Sequence, residues 1–217
     1  MIKFLHLPSF ATLVRLGLAN VPMGPAGWIL LGDYLRRTPS LRYLDITNTS
    51  IVGGDTSNEL QAFATLLEGT DLAELNMTKT RIRQESLSAL FASMATSKLT
   101  SLNVGKIDLS PLSVAALVRG LSACPFMSTL NIRSTKFNVE CATVLPILTH
   151  MRHVDVSQNK LQNMLKALLD CLFSRCPFLS NIQLAGVGLS IPSFRSFAPY
   201  LKSQVLGDGP DKGAPRR

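Results

Sequence analysis

Residues 179–189 read LSNIQLAGVGL, and residues 151–161 read MRHVDVSQNKL. In both, apolar side chains fill places one, four, six and eleven. The same phrase starts at Leu13, Leu41, Leu72, Leu99, Met127, Met151 and Leu179, so the intervals are 28, 31, 27, 28, 24 and 28 residues. All 28 frame positions (four places in seven copies) are apolar, which excludes chance spacing. Internal periods of this length mark repeat architectures, in which each unit buries its apolar side against its neighbours.

Within each copy, apolar places four and six alternate with polar places three and five, the period-two pattern of a short strand. Between copies the pattern turns helical, over 25–37, 59–68, 85–94, 111–121, 139–148, 165–173 and 192–201. Pro25 suits a first helical turn. Ser110 before Pro111 and Ile191 before Pro192 mark two other starts, and the Ser110 hydroxyl can cap its helix. Trp28, Leu31 and Leu35 share one helical face, which places Trp28 in the core. Strand–helix–strand units give parallel strands with right-handed crossovers. Strands stack about 4.8 Å apart and helices about 8–10 Å, so the helix side splays and the sheet side closes. The expected fold class is α/β: a horseshoe solenoid of about seven repeats, with a parallel concave sheet and helices on the convex side.

The phrase resembles the leucine-rich repeat LxxLxLxxNxL, and the long period with a helical second half resembles the ribonuclease-inhibitor-like subtype. That resemblance implies a non-catalytic binding scaffold, since the subtype includes inhibitors, Ran-type GTPase activators, innate-immune sensors and actin regulators. The repeat at 127–150 and the phrase MRHVDVSQNKLQNMLKALLDCL loosely resemble CARMIL-type actin regulators over about a quarter of the chain. A Ran-type activator would carry an acidic tail, whereas this one ends on Arg216 and Arg217. Place nine departs from the family pattern: Val21, Ile107 and Val187 stand where Thr49, Thr80, Thr135 and Asn159 offer polar groups. A buried backbone group without a partner costs roughly 1–3 kcal/mol, so altered turns or ordered water are expected at those three places.

The frame places point inward, leaving places two, three, five, seven and eight on the concave face. Place five holds Gly17, Asp45, Asn76, Asn103, Asn131, Asp155 and Gln183. Place three adds Tyr43 and His153, place eight Lys79 and Lys106, and place seven Arg133. A rigid lattice of amides, carboxylates and cations is preorganised for binding. Tyr43 and His153 are the expected anchors, because Tyr is enriched in hot spots. The competing reading is a solvated ladder in which the amides bond sideways. The partner-binding set is therefore Tyr43, Asp45, Asn76, Lys79, Asn103, Lys106, Asn131, Arg133, His153 and Asp155.

The domain reading is an incomplete or atypical first repeat over 1–12, the solenoid over 13–203 and a disordered tail over 204–217. Composition narrows the chemistry. The net charge is +8, from 22 Lys and Arg against 14 Asp and Glu, which can attract nucleic acid or an acidic protein. The basic residues are dispersed along the chain and read as a generally basic, solvated surface. Cys124, Cys141, Cys171 and Cys176 form no CxxC pair and read as packing in a reducing compartment. No nucleophile elbow, HExxH or phosphate loop appears, so no catalytic residue, metal or cofactor is expected. The Gly-rich insertion at 52–58 reads as a rim loop. No apolar run of about 18 residues suggests a membrane span. The expected location is cytoplasmic, with nucleus or mitochondrion as alternatives, because no acidic residue precedes Asp33. The expected partner is a protein, with RNA as the alternative and a small GTPase or actin regulator as a narrower one.

Overall fold

The computed structural model describes residues 12–50, 61, 64–137, 150–161, 164–188, 195 and 198. Its strands are three residues long and occupy places three to five of every copy. They are β1 (Arg15–Gly17), β2 (Tyr43–Asp45), β3 (Glu74–Asn76), β4 (Ser101–Asn103), β5 (Thr129–Asn131), β6 (His153–Asp155) and β7 (Asn181–Gln183). They form one seven-stranded parallel sheet in sequential order. Place four faces place four at every step, from Leu16–Leu44 to Val154–Ile182. The helices are α1 (Pro25–Arg37), α2 (Gln84–Ser93), α3 (Pro111–Ala123) and α4 (Met164–Arg175). A 3-10 turn at Met94–Thr96 follows α2. The architecture is α/β, parallel and repeating.

The backbone ladder continues beyond the strands. The place-six amide donates to the next repeat's place-five carbonyl at all six steps, for example Met77 N to Asn103 O at 2.9 Å. The place-eight amide donates to the next place-seven carbonyl just as regularly, from Asn20 N–Thr47 O (2.9 Å) to Gln158 N–Ala185 O (2.6 Å). Place eight takes a left-handed backbone in every copy: Asn20, Asn48, Lys79, Lys106, Ser134, Gln158 and Gly186, with φ between 53° and 69°. Asn and Gly enter that region readily, but other L-residues pay roughly 1–2 kcal/mol. Lys79, Lys106, Ser134 and Gln158 hold it because the turn must reverse there to present the amide across the ladder.

Behind the sheet, Leu44, Leu75, Leu102, Leu130 and Val154 are buried. Each contributes about 1.5–3 kcal/mol by leaving water. Leu16 and Ile182, in the outermost strands, are half-buried. Trp28 lies in the core as expected, 1% exposed. Pro25 opens α1, and the Ser110 hydroxyl accepts the Ser113 amide at 3.3 Å to cap α3. Cys124 and Cys176 are free thiols buried at helix ends, and the Cys124 thiol donates to Leu99 O at 3.3 Å. Helix α2 packs against α3. Gly120 makes this approach possible, since a Cβ there would overlap the Phe91 carbonyl.

Place nine departs from expectation. Asn159, 1% exposed, accepts from Thr135 N (3.0 Å) and Phe137 N (3.1 Å). Its amide donates to Ile132 O (2.7 Å) and Val156 O (2.9 Å), tying two repeats together. The Thr80 hydroxyl crosses to Ile46 O at 2.8 Å. Val21 and Ile107 make no such link, yet their turns are unchanged. Val21 N–Leu18 O and Ile107 N–Val104 O, both 3.2 Å, match Thr80 N–Met77 O at 3.1 Å. The backbone closes the turn by itself, and place nine only adds a cross-link.

The helix expected over 59–68 ends early among the described residues. Gln61 and Ala64 are helical, but residues 65–69 form a turn that closes on left-handed Gly69. Arg195 and Ala198 are helical. The loop 52–58, the helix at 139–148, most of 192–201, residues 1–11 and the tail 204–217 lie outside the described residues.

Two substitutions test this packing. Gly120→Ala should destabilise the chain by about 1–3 kcal/mol in urea unfolding, although alanine is the better helix former by about 0.5–1 kcal/mol. A variant as stable as the parent would refute the close approach. Asn159→Ala strands several buried amides and carbonyls and should cost about 3 kcal/mol or more. A loss below about 1 kcal/mol would show that the cross-link is dispensable.

Candidate functional site

The face of the sheet bearing places three, five and seven is built on an Asx turn repeated in five of the seven strands. At place five, the side-chain oxygen of Asp45, Asn76, Asn103, Asn131 or Asp155 accepts the backbone amide two residues on, at place seven. The distances are 2.9 Å to Thr47 N, 3.2 Å to Thr78 N, 3.0 Å to Gly105 N, 2.9 Å to Arg133 N and 2.9 Å to Ser157 N. This is why Asp or Asn stands there: only a short side chain with an acceptor closes the ring. The bonds run forward along the chain, not sideways. A sideways amide link occurs at place eight, from Asn48 Nδ2 to Asn20 Oδ1 at 2.6 Å.

The Asx turn fixes which atom faces outward. Because Oδ1 meets an N–H donor, the Asn76, Asn103 and Asn131 amide groups keep their NH2 donors available. Among the described residues, those donors meet no protein acceptor. Asp45, half-buried, has a second carboxylate oxygen left over from its turn. Strands β2 to β5 thus present an acceptor and three donors in a fixed row, whereas Asp155 on β6 is buried.

Place three differs in kind. Arg15 and Tyr43 are register partners, and the Arg15 guanidinium lies 3.9 Å from the centre of the Tyr43 ring. Tyr43 is half-buried under this cation–π contact. His153 is exposed on β6. Four strand steps separate the two expected anchors, roughly 19 Å at strand spacing, so they cannot form one pocket. Asp155 directs Oδ1 to Ser157 N and is buried, whereas His153 beside it is exposed.

The basic residues are not dispersed in space. Lys79 and Lys106 stand at place eight of adjoining repeats. With Arg81 and Arg83 they line a cleft of about 550 Å³ beyond the C-terminal ends of β3 and β4. Asp108, also in its wall, pairs with Lys136 at 2.5 Å. A second cleft of about 440 Å³ shares Asp108 and carries Lys136 and Lys160 one to two repeats further on. The sequence reading missed Arg81, Arg83, Lys136 and Lys160 because it counted runs along the chain. Their places in the repeat, ten and twelve, were the available signal.

The opposite rim, just before place one, holds Phe126, His150 and Phe178 in successive repeats. All are exposed, Phe126 and Phe178 by 60% and 58%. Arg152 lies 5.5 Å from the Phe178 ring centre. On the same rim Lys98 bonds Asp71 at 2.5 Å. That hydrogen bond, and then the charge of Lys98, hold the Asp71 carboxyl below its usual range, with Arg42 adding to the effect. Among the described residues, no helix is long and apolar enough to cross a membrane. Comparison of the chain with models of known protein families and with curated proteins yields no match.

The turn role of place five separates two substitutions at one residue. Asn103→Ala removes the acceptor for Gly105 N and should lower stability by about 1 kcal/mol. Asn103→Asp keeps it and should stay within about 0.5 kcal/mol of the parent. Equal losses in both, read by thermal and urea unfolding, would contradict the Asx-turn assignment.

Proposed function

We propose that the chain is a leucine-rich-repeat horseshoe of the ribonuclease-inhibitor-like kind, and that it acts as a non-catalytic scaffold binding a partner protein through the concave face of its sheet. The observation that carries this reading is the outward row at place five, held by Asx turns at fixed strand spacing. Its donors and acceptors are set by the backbone, so they lose little freedom on binding. A protein surface, with its own amides and carboxylates at comparable spacing, matches such a row. Place three supplies flanking polar groups, Arg15, Glu74 and His153. A cytoplasmic setting fits the free thiols of Cys124 and Cys176. Regulation of a small GTPase or of actin assembly is a narrower form of the same reading and would need that specific partner.

RNA is the second reading, favoured by the exposed Phe126, His150 and Phe178 row, since single strands stack on aromatic rings. Those rings, however, lie at the strand ends opposite the basic clefts, and among the described residues Arg152, over Phe178, is the one cation placed against them. The protein reading therefore stands first.

Photo-crosslinking residues placed at Glu74 and His153, and as controls at the exposed helix positions Arg119 and Lys166, test the face directly. In native cells the two sheet positions should give a discrete protein adduct that survives ribonuclease, and the helix positions none. Adducts confined to the helix positions, or abolished by ribonuclease, would overturn the proposal.

A further inference from the structure

The clefts at the C-terminal strand rim are a second surface, distinct from the sheet face. Among the described residues, Lys79, Arg81 and Lys106 enter no ion pair, and the one carboxylate in the cleft wall, Asp108, is already taken by Lys136. The wall is held by side-chain hydrogen bonds. Gln84 donates from Nε2 to Asp108 O (2.8 Å), and its Oε1 accepts from Ser110 N (2.9 Å) and the Ser113 hydroxyl (2.7 Å). The Arg81 amide bonds Thr49 O at 2.9 Å, in an isolated bridge that ties its segment to the preceding repeat. Lys79 and Lys106 occupy left-handed backbone where Asn20, Asn48 and Gly186 fill the equivalent turn with less strain.

We propose that this rim is a docking site for an acidic segment of a partner protein, a short extended run of Asp and Glu side chains lying across repeats three to six. Three repeat steps span roughly 14 Å, the length of about four or five extended residues. Arginine forks take carboxylates in a bidentate grip and lysines supply flanking charge. A nucleic acid strand fits less well. The rim clefts contain no exposed stacking ring, and Tyr43 lies under Arg15, so bases have no aromatic face to stack on there. The occupant's being a protein rests on the scaffold reading, but the rim and its test are separate from the sheet face.

Fluorescence anisotropy with the full chain, using octaglutamate and octauridylate as probes at low and physiological ionic strength, decides the matter. Octaglutamate should bind, with salt weakening it. The double variant Lys79→Asn/Lys106→Asn should weaken it about tenfold, and Arg119→Gln on α3 by no more than about twofold. Asparagine suits the left-handed backbone, so the double variant should melt no lower than the parent, and lost binding would not reflect lost folding. The inference is overturned if octaglutamate fails to bind, if Arg119→Gln weakens it as much as the double variant, or if octauridylate binds the same rim more tightly. None of these results touches the crosslinks from Glu74 and His153, which judge the sheet face alone.

Discussion

Each repeat is fastened to the next by the amide of one residue in a left-handed turn. At six interfaces the place-eight N–H meets the following place-seven carbonyl, beside the ordinary strand bonds. A three-residue strand alone offers too few bonds to hold a unit, and a unit alone buries too little apolar surface. The turn extends the ladder past the strand and aims place nine inward, where Thr and Asn add links between repeats. Stability in such an array comes from nearest-neighbour interfaces. The turn is the common element of all six, and the core behind it follows from the same register.

What the sequence disclosed, and what it concealed, follow from this division. The apolar frame was legible because burial is periodic and large. Places one, four, six and eleven located all seven strands, and the openings of α1 and α3 were written in Pro25 and in Ser110 with Pro111. The left-handed turn was not legible. Lys79, Lys106, Ser134 and Gln158 do not announce a positive φ as glycine would, and only comparison of seven equivalent positions reveals it. Place nine misled for a related reason. Valine and isoleucine there remove a cross-link, but the turn is closed by backbone groups that every residue possesses.

The candidate site divides in the same way. Asp and Asn at place five were visible as a row, but their chemistry was hidden until the Asx turns showed which atom points inward. One oxygen of each is a structural part, and only the remaining amide or carboxylate oxygen is offered outward. The two expected anchors, Tyr43 on β2 and His153 on β6, stand four strand steps apart, so together they could contact only a broad surface. The basic rim escaped notice because charge was counted along the chain. A period near 27 residues turns Lys79 and Lys106, far apart in sequence, into neighbours.

Electrostatics then separates the two surfaces. The sheet face mixes signs, with Arg15, Glu74, Asp45 and Asp155 among neutral amides, so it selects by pattern rather than by net attraction. The rim concentrates one sign in a walled cleft, where field lines focus and encounter is accelerated. A partner with an acidic segment beside a polar surface would be steered first by the rim and discriminated next by the sheet. Rim charges chiefly change association rates and salt dependence, while desolvated polar contacts govern dissociation. Under both proposals a single turn, running from place five to place eight, would position the two surfaces. The strain at Lys79 and Lys106 then has a physical use: the left-handed turn that joins the repeats also sets these two lysines in the cleft wall.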